Sequence, residues 1–126
     1  MKNFNLAVIE GRLVDDPEVR YTQEGTALCK FYVANNYSYY KNDKLQEEVN
    51  FIEVTTFSKL AEICGEYLKK GKRVIVNGRL KQSKWKDEEG INHSKLSITG
   101  RQVQFLDRSE NGSGKDQEQE KEEIPF

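Results

Sequence analysis

The chain has 126 residues, 33% of them charged and 36% hydrophobic, with 20 basic against 21 acidic side chains, one histidine and two cysteines. That length holds one domain of ordinary size and excludes a second core. No apolar run approaches the ~20 residues that a membrane-crossing helix needs, and the opening Met1-Lys2-Asn3-Phe4 lacks the apolar centre of a secretory signal, so the expected compartment is the cytoplasm.

The near-neutral total conceals a division. Residues 107–126 carry three basic side chains against seven acidic ones, which leaves residues 1–106 with 17 against 14, a surplus of +3. A surplus of that size removes the repulsion toward a polyanion that the whole-chain value suggests.

In chain order, residues 4–14 are rich in β-formers on both faces, and Gly11 interrupts them where a bend is tolerated. A strand apolar on both sides predicts a subunit contact as well as a core. Asp15, Asp16 and Pro17 supply turn chemistry, and a short strand is expected around residues 19–22, with a turn at Glu24 and Gly25. Residues 26–35 alternate, with Ala27, Cys29, Phe31 and Val33 on one face and Lys30 and Tyr32 on the other, the period of a half-buried strand. Residues 49–57 alternate as well: Ile52 and Val54 belong to the inward set, and Phe51, Glu53, Thr55 and Phe57 to the outward one.

From Ser58 to Lys70 the period changes. Leu60, Ile63, Cys64, Tyr67 and Leu68 form one stripe of an amphipathic helix. Ser58 is expected to cap its start, and Lys69, Lys70 and Gly71 to end it. Gly65 inside this helix costs about 1 kcal/mol relative to alanine, so the helix must rely on packing, as a plug at the end of a barrel would. Val74, Val76 and Leu80 mark the next strand, and Leu96, Ile98, Val103 and Phe105 the last. Between them, residues 81–90 read as a polar hairpin tip holding Trp85. Three strands, one helix and two more strands predict an all-β OB-fold, a five-stranded Greek-key barrel with the helix between strands 3 and 4. An α+β sheet domain is the competing architecture. Cys29 and Cys64, far apart in apolar stretches, suit reduced core thiols.

Aromatic rings have reached the polar positions of this pattern. Tyr37, Tyr39 and Tyr40 crowd a connection that also holds Lys41 and Lys44; Phe51 and Phe57 share an outward face; Trp85 sits among Lys81, Lys84 and Lys86. Rings interleaved with ammonium groups suit a single strand of nucleic acid, with bases stacked on the rings and phosphates on the cations. At about 1–3 kcal/mol per stacked base, four such platforms outweigh a body charge of +3. Stacking alone does not separate DNA from RNA. One histidine and two separated cysteines give no zinc spacing, and there is no phosphate-cradling glycine loop or nucleophile–base pairing. No catalytic residue, metal or cofactor is therefore expected, and His93 reads as a strand residue with ordinary hydrogen bonds.

Residues 109–121, rich in Glu, Gln, Ser and Gly, bury too little apolar surface to offset chain entropy, so a disordered linker over 107–121 is the expectation. The chain then ends on Glu122-Glu123-Ile124-Pro125-Phe126, an apolar hook behind acid, which suits an apolar pocket ringed by cations on a partner protein.

Several stretches resemble, in order, the bacterial single-stranded DNA-binding protein family: Gly11-Arg-Leu-Val-Asp-Asp-Pro-Glu-Val-Arg-Tyr-Thr22, Ala34-Asn35, Phe57-Ser-Lys-Leu-Ala-Glu62, Tyr67-Leu-Lys-Lys-Gly71, Val74-Ile-Val-Asn-Gly-Arg-Leu80 and Lys84-Trp85. The resemblance spans residues 3–106, and the last five residues are similar to that family's acidic tip. It implies an OB-fold domain over 1–106, homotetrameric, wrapping single-stranded DNA in replication, recombination and repair, in a nucleoid-associated setting. The tip at 122–126 would recruit genome-maintenance enzymes. Matched position by position, it puts the family's stacking aromatics on Tyr39, Phe51, Phe57 and Trp85, and its basic DNA contacts on Lys41, Lys59, Lys70, Lys81 and Lys84. Ile52 and Glu53 depart from it, standing where better-known members have histidine and arginine, and residues 107–121 are shorter than many members' linkers. An OB interaction module, such as a replication-restart accessory, is the alternative reading.

Overall fold

The computed structural model describes residues 1–106; the expected linker and tip lie outside the described residues. Six strands and one helix follow one another: β1 (Ala7–Leu13), β2 (Glu18–Tyr21), β3 (Ala27–Lys41), β4 (Lys44–Phe57), α1 (Ser58–Tyr67), β5 (Arg73–Lys86) and β6 (Asn92–Phe105). The strands lie in the order β1-β5-β6-β4-β3-β2, antiparallel except for β4 beside β6, and β1 also pairs with β3. That last pairing closes five long strands into a barrel, while β2 extends the sheet beyond β3. The arrangement is the expected OB-fold.

Closure depends on β1 changing partners. Residues 7–12 pair with β5, whereas Arg12 and Leu13 pair with Ala34 and Val33 of β3. At the changeover Gly11 passes so close to the backbone of Ala34 that a Cβ would overlap its carbonyl. The bend inferred for Gly11 is this crossing.

Alternation then decides what fills the barrel. Ala27, Cys29, Phe31 and Val33 of β3, Val54 of β4, Val74 and Val76 of β5, and Ile98 and Val103 of β6 are buried together with Leu13. Cys29 and Cys64 are buried free thiols, and burial pushes the Cys29 thiol up to about 11, against a smaller opposing effect of its hydrogen bond with Thr56. The strand after residue 73 and the last strand are longer than their apolar cores imply. As a hairpin they run out past the end of the barrel, which leaves Leu80 and Leu96, read as strand markers and found in those strands, exposed. β1 keeps its outer face uncovered in the single chain, with Val8, Glu10 and Arg12 exposed and Leu6, just before the strand, exposed as well.

The helix is shorter than its stripe predicts, and its ends are built differently. β4 stays extended through Phe57, the N-cap residue, and Ser58 makes the turn with φ of 59°, so no side chain caps the first turn. At the other end Leu68 leaves helical geometry and is drawn into the core, only 3% exposed, which puts Lys69 and Lys70 beyond the helix. The buried line is Ala61, Cys64 and Leu68, flanked by the half-buried Leu60 and Ile63, while Tyr67 lies at the margin against Phe105.

Gly65 has a packing reason: a Cβ there would overlap a methyl of Val19 on β2. Alanine at an open helical site gains about 1 kcal/mol over glycine, but here overpacking of about 1–3 kcal/mol opposes it. Gly65→Ala is therefore expected to lower stability in urea denaturation, and in a Val19→Ala background the same substitution is expected to become neutral or stabilising. Equal effects in both backgrounds would contradict the contact.

Candidate nucleic-acid interface

Because residues 27, 29, 31 and 33 of β3 point inward, residues 28, 30, 32 and 34 form its outer face. The register carries this face across the sheet. Tyr32 lies opposite Glu53, Ala34 opposite Phe51 and Leu28 opposite Phe57; Thr55 pairs with Thr99 of β6, and Thr99, Ser97 and His93 pair with Arg79, Lys81 and Trp85 of β5. Phe51, Phe57, Lys81 and Trp85 thus lie on one continuous outer surface. Phe51 is 63% exposed, Phe57 42% and Trp85 47%.

Trp85 belongs to β5, not to a loop tip. Its hairpin partner His93 stacks on it with ring centroids 5.5 Å apart and planes 18° from parallel. His93 Nε2 lies 2.8 Å from Asp87 Oδ2, and the hydrogen bond with His93, then backbone N–H groups led by that of Ile91, hold the Asp87 carboxyl below its usual range. One face of the indole is therefore covered and its tilt is set. Lys84 and Lys86, on the opposite pleat, line the same cleft at the hairpin end.

The other aromatic cluster is arranged otherwise. The stretch read as a polar connection is a β-hairpin continuing β3 and β4 to a two-residue turn, Asn42 and Asp43, whose φ values of 52° and 63° match the right-handed strand twist. Tyr37 and Tyr39 stack on each other at 5.8 Å and sit with Lys41 on the pleat opposite to that of Phe51. Tyr39 and Lys41 are thus on the second side of a ribbon that projects from the barrel. Lys59 lies in the first turn of α1, two residues after Phe57. Lys70 lies past the helix's far end, roughly 15 Å along the axis, where its backbone N–H donates to Asp16 Oδ1 at 2.9 Å. The partner-binding residues Glu122, Glu123, Ile124, Pro125 and Phe126 lie outside the described residues.

Sequence reading missed the centre of the face. Between Phe51 and Phe57 stands Glu53, only 9% exposed, and its Oε1 accepts hydrogen bonds from Tyr32 Oη and Lys95 Nζ, each at 2.8 Å. Burial pushes the Glu53 carboxyl up, but the bonds from Lys95 and Tyr32 and the charges of Lys95 and Lys30 outweigh it and hold the group below its ordinary value. The same bonds raise Lys95 and Tyr32 above theirs. A carboxylate amid stacking rings would repel phosphate, yet here it is screened by a phenol and neutralised by an ammonium group. Lys95 and Tyr32 were not legible as site residues, since their neighbourhood arises only from the parallel β4–β6 pairing and the β3–β4 register.

The model of the single-strand binding protein family matches residues 4–106. The chain is similar to the single-stranded DNA-binding protein of Treponema pallidum, 42% identical over 106 residues, which are 84% of this chain and 60% of that one. The Wolinella succinogenes protein of the same name is 40% identical, over 82% of this chain and 65% of its own. That of Borreliella burgdorferi is 38% identical, over 88% and 75%. The chain thus spans less than two thirds of the length of the first two. A solved structure of a Plasmodium falciparum SSB complex with ssDNA superposes with a TM-score of 0.79 at 23% identity, covering 85% of this chain and 98% of that one, and shares the fold.

The Glu53 network has a pH signature. A carboxyl held below its unfolded value stabilises the fold above about 4.5, the ordinary value, and that contribution disappears as pH falls through the folded pKa. Glu53→Gln is therefore expected to be less stable than the native chain near neutral pH, the gap closing as pH falls below about 4.5 and through the lowered folded value. Thermal melts across pH 3–7 check this, and a gap independent of pH would contradict it.

Proposed function

The chain belongs to the single-strand binding protein family, and on that premise we propose that it binds single-stranded DNA with little sequence preference, protecting it during replication, recombination and repair. The observation that carries this reading is the placing of Phe51, Phe57 and Trp85 outward on one sheet face with Lys81 among them. Every base has a π-face, so rings accept any sequence. In a duplex those faces are already stacked on neighbouring bases, which makes an unpaired strand the better ligand. Phosphates then meet Lys81, Lys84 and Lys59, and on the projecting ribbon Tyr39 and Lys41 extend the binding surface. Lys70, at the far side of α1, would serve a strand that passes around the barrel.

Three further parts complete the proposal. The protein acts by binding alone, without catalysis, metal or cofactor, in the cytoplasm at the nucleoid. Its terminal Glu122-Glu123-Ile124-Pro125-Phe126 docks replication and repair proteins, the acids steering the encounter and Phe126 filling an apolar pocket. Four copies assemble, an arrangement supported by the uncovered apolar pair Leu6 and Val8 at the start of β1.

Titrating a fluorescently labelled oligothymidylate and following its anisotropy tests the reading. The native chain is expected to bind it, more weakly as salt rises, with little competition from duplex. Trp85→Ala is expected to weaken binding by about 1–3 kcal/mol. Binding that is indifferent to Trp85, or equal competition by duplex, would contradict it. Sedimentation velocity is expected to give four times the chain mass, and a stable monomer would contradict the assembly.

A further inference from the structure

Besides the path past Phe57 and α1, the proposed stacking face can be left in two directions, and their charges differ. Beyond Phe51 the same outer side of the β3–β4 ribbon continues as Val49 and Glu47 opposite Asn36 and Ser38, and the groove there also takes in Glu48. A strand leaving that way would meet carboxylates. Along β5 in the other direction, the face that holds Trp85 and Lys81 continues to Arg79, six residues or ~20 Å from Trp85. There a groove opens between β5–β6 and the N-terminal segment, lined by Lys2, Phe4, Arg79, Arg101 and Leu6, the last also belonging to the apolar pair read above as a contact between copies, and no carboxylate is among the described residues lining it.

This groove is built rather than incidental. The β5–β6 register breaks between Asn77 and Gly78: Gly78 pairs with Gly100 and Asn77 with Gln102, so Arg101 is the extra residue of a bulge and is exposed. Asn77 Nδ2 donates to Gln102 Oε1 at 3.0 Å and ties the two strands beside the break. On the opposite wall Asn5 acts as one more rung of the sheet. Its Nδ2 donates to the Leu80 carbonyl and its Oδ1 accepts from the Leu80 N–H, both at 2.9 Å. That clamp holds Phe4, 91% exposed, next to the arginines. An exposed ring beside two guanidinium groups and an ammonium group repeats the chemistry of the stacking face.

We propose that this groove is a second segment of the single-strand path, in which Arg79 and Arg101 take phosphates and Phe4 takes a base beyond those held at Trp85 and Phe51. The proposal rests on the single-strand reading above, and at the Trp85 side it favours the path along β5 across the bulge over the acid-lined side of the ribbon.

Quenching of Trp85 by oligothymidylates of about 8 and about 20 nucleotides, within and beyond the usual reach of one OB barrel, separates the two segments. In an Arg79→Gln/Arg101→Gln variant the short strand is expected to bind as tightly as to the native chain. The long strand is expected to bind at least tenfold more weakly, and its salt slope to fall by about 1.4, the value for two phosphates of a single strand left without a cation. Phe4→Ala, at an exposed site that cannot unfold the barrel, is expected to weaken binding about fivefold or more for the long strand only. Unchanged long-strand affinity and slope in these variants would overturn the proposal, as would equal weakening for both lengths. A smaller sedimenting species in either variant would instead assign the groove to the interface between copies, and would also overturn it. Failure of the native chain to quench with the short strand would reject the single-strand reading itself, a result distinct from all of these.

Discussion

Closure of the sheet is the constraint from which the surface follows. Once β1 pairs with both β5 and β3, every strand has one side committed to a filled interior, and alternation obliges the intervening residues to face out. Phe31, Val54, Val76 and Ile98 occupy the interior, so Phe51 and Phe57 cannot join them without a register slip that would expose the core, and the same register carries Trp85 onto their side beyond the barrel end. The outward rings are thus enforced by the core, and each has its neighbours across the sheet fixed by the same ladder. Gly11, which permits β1 to cross between partners, supports the proposed face from the β1–β3 seam, where it packs on Ala34, the cross-strand neighbour of Phe51.

Charge plays a subordinate part. Residues 1–106 carry a surplus of only +3, and the centre of the proposed binding face holds a carboxylate. Glu53 is tolerated there because Lys95 and Tyr32 satisfy it, and in return it fixes both on the face. The network converts a repulsive residue into an ordered, nearly neutral patch between rings. On the proposed function such a patch would favour base stacking, while cations at the margins, Lys81 and Lys59 among them, would remain for the backbone.

Much of the fold was legible because its signals are local. Alternation at residues 26–35 and 49–57, the helical stripe at 60–68 and the apolar pairs at 74–76 and 103–105 all correspond to elements of the barrel. Errors arose where the barrel stopped dictating the pattern. Residues 36–41 and 44–48 are strand without an interior to face, so their polar and aromatic composition read as a connection, though Asn42 and Asp43 are good hairpin-turn residues; for the same reason residues 81–86 read as part of a hairpin tip at 81–90. The helix ends were set by tertiary demands on Phe57 and Leu68, which outrank local capping. The Tyr32–Glu53–Lys95 network and the Arg101 bulge join residues distant in sequence and required the register of three strands.

The central claim is that unpaired bases rest on the rings displayed by β4 and β5. Its most direct test is photocrosslinking of the native chain to an oligothymidylate carrying 5-iodouracil, with the adducts mapped by mass spectrometry. The account predicts adducts on Trp85, Phe51 and Phe57; adducts confined to α1 and the outer side of β1, with those rings unmodified, would contradict it.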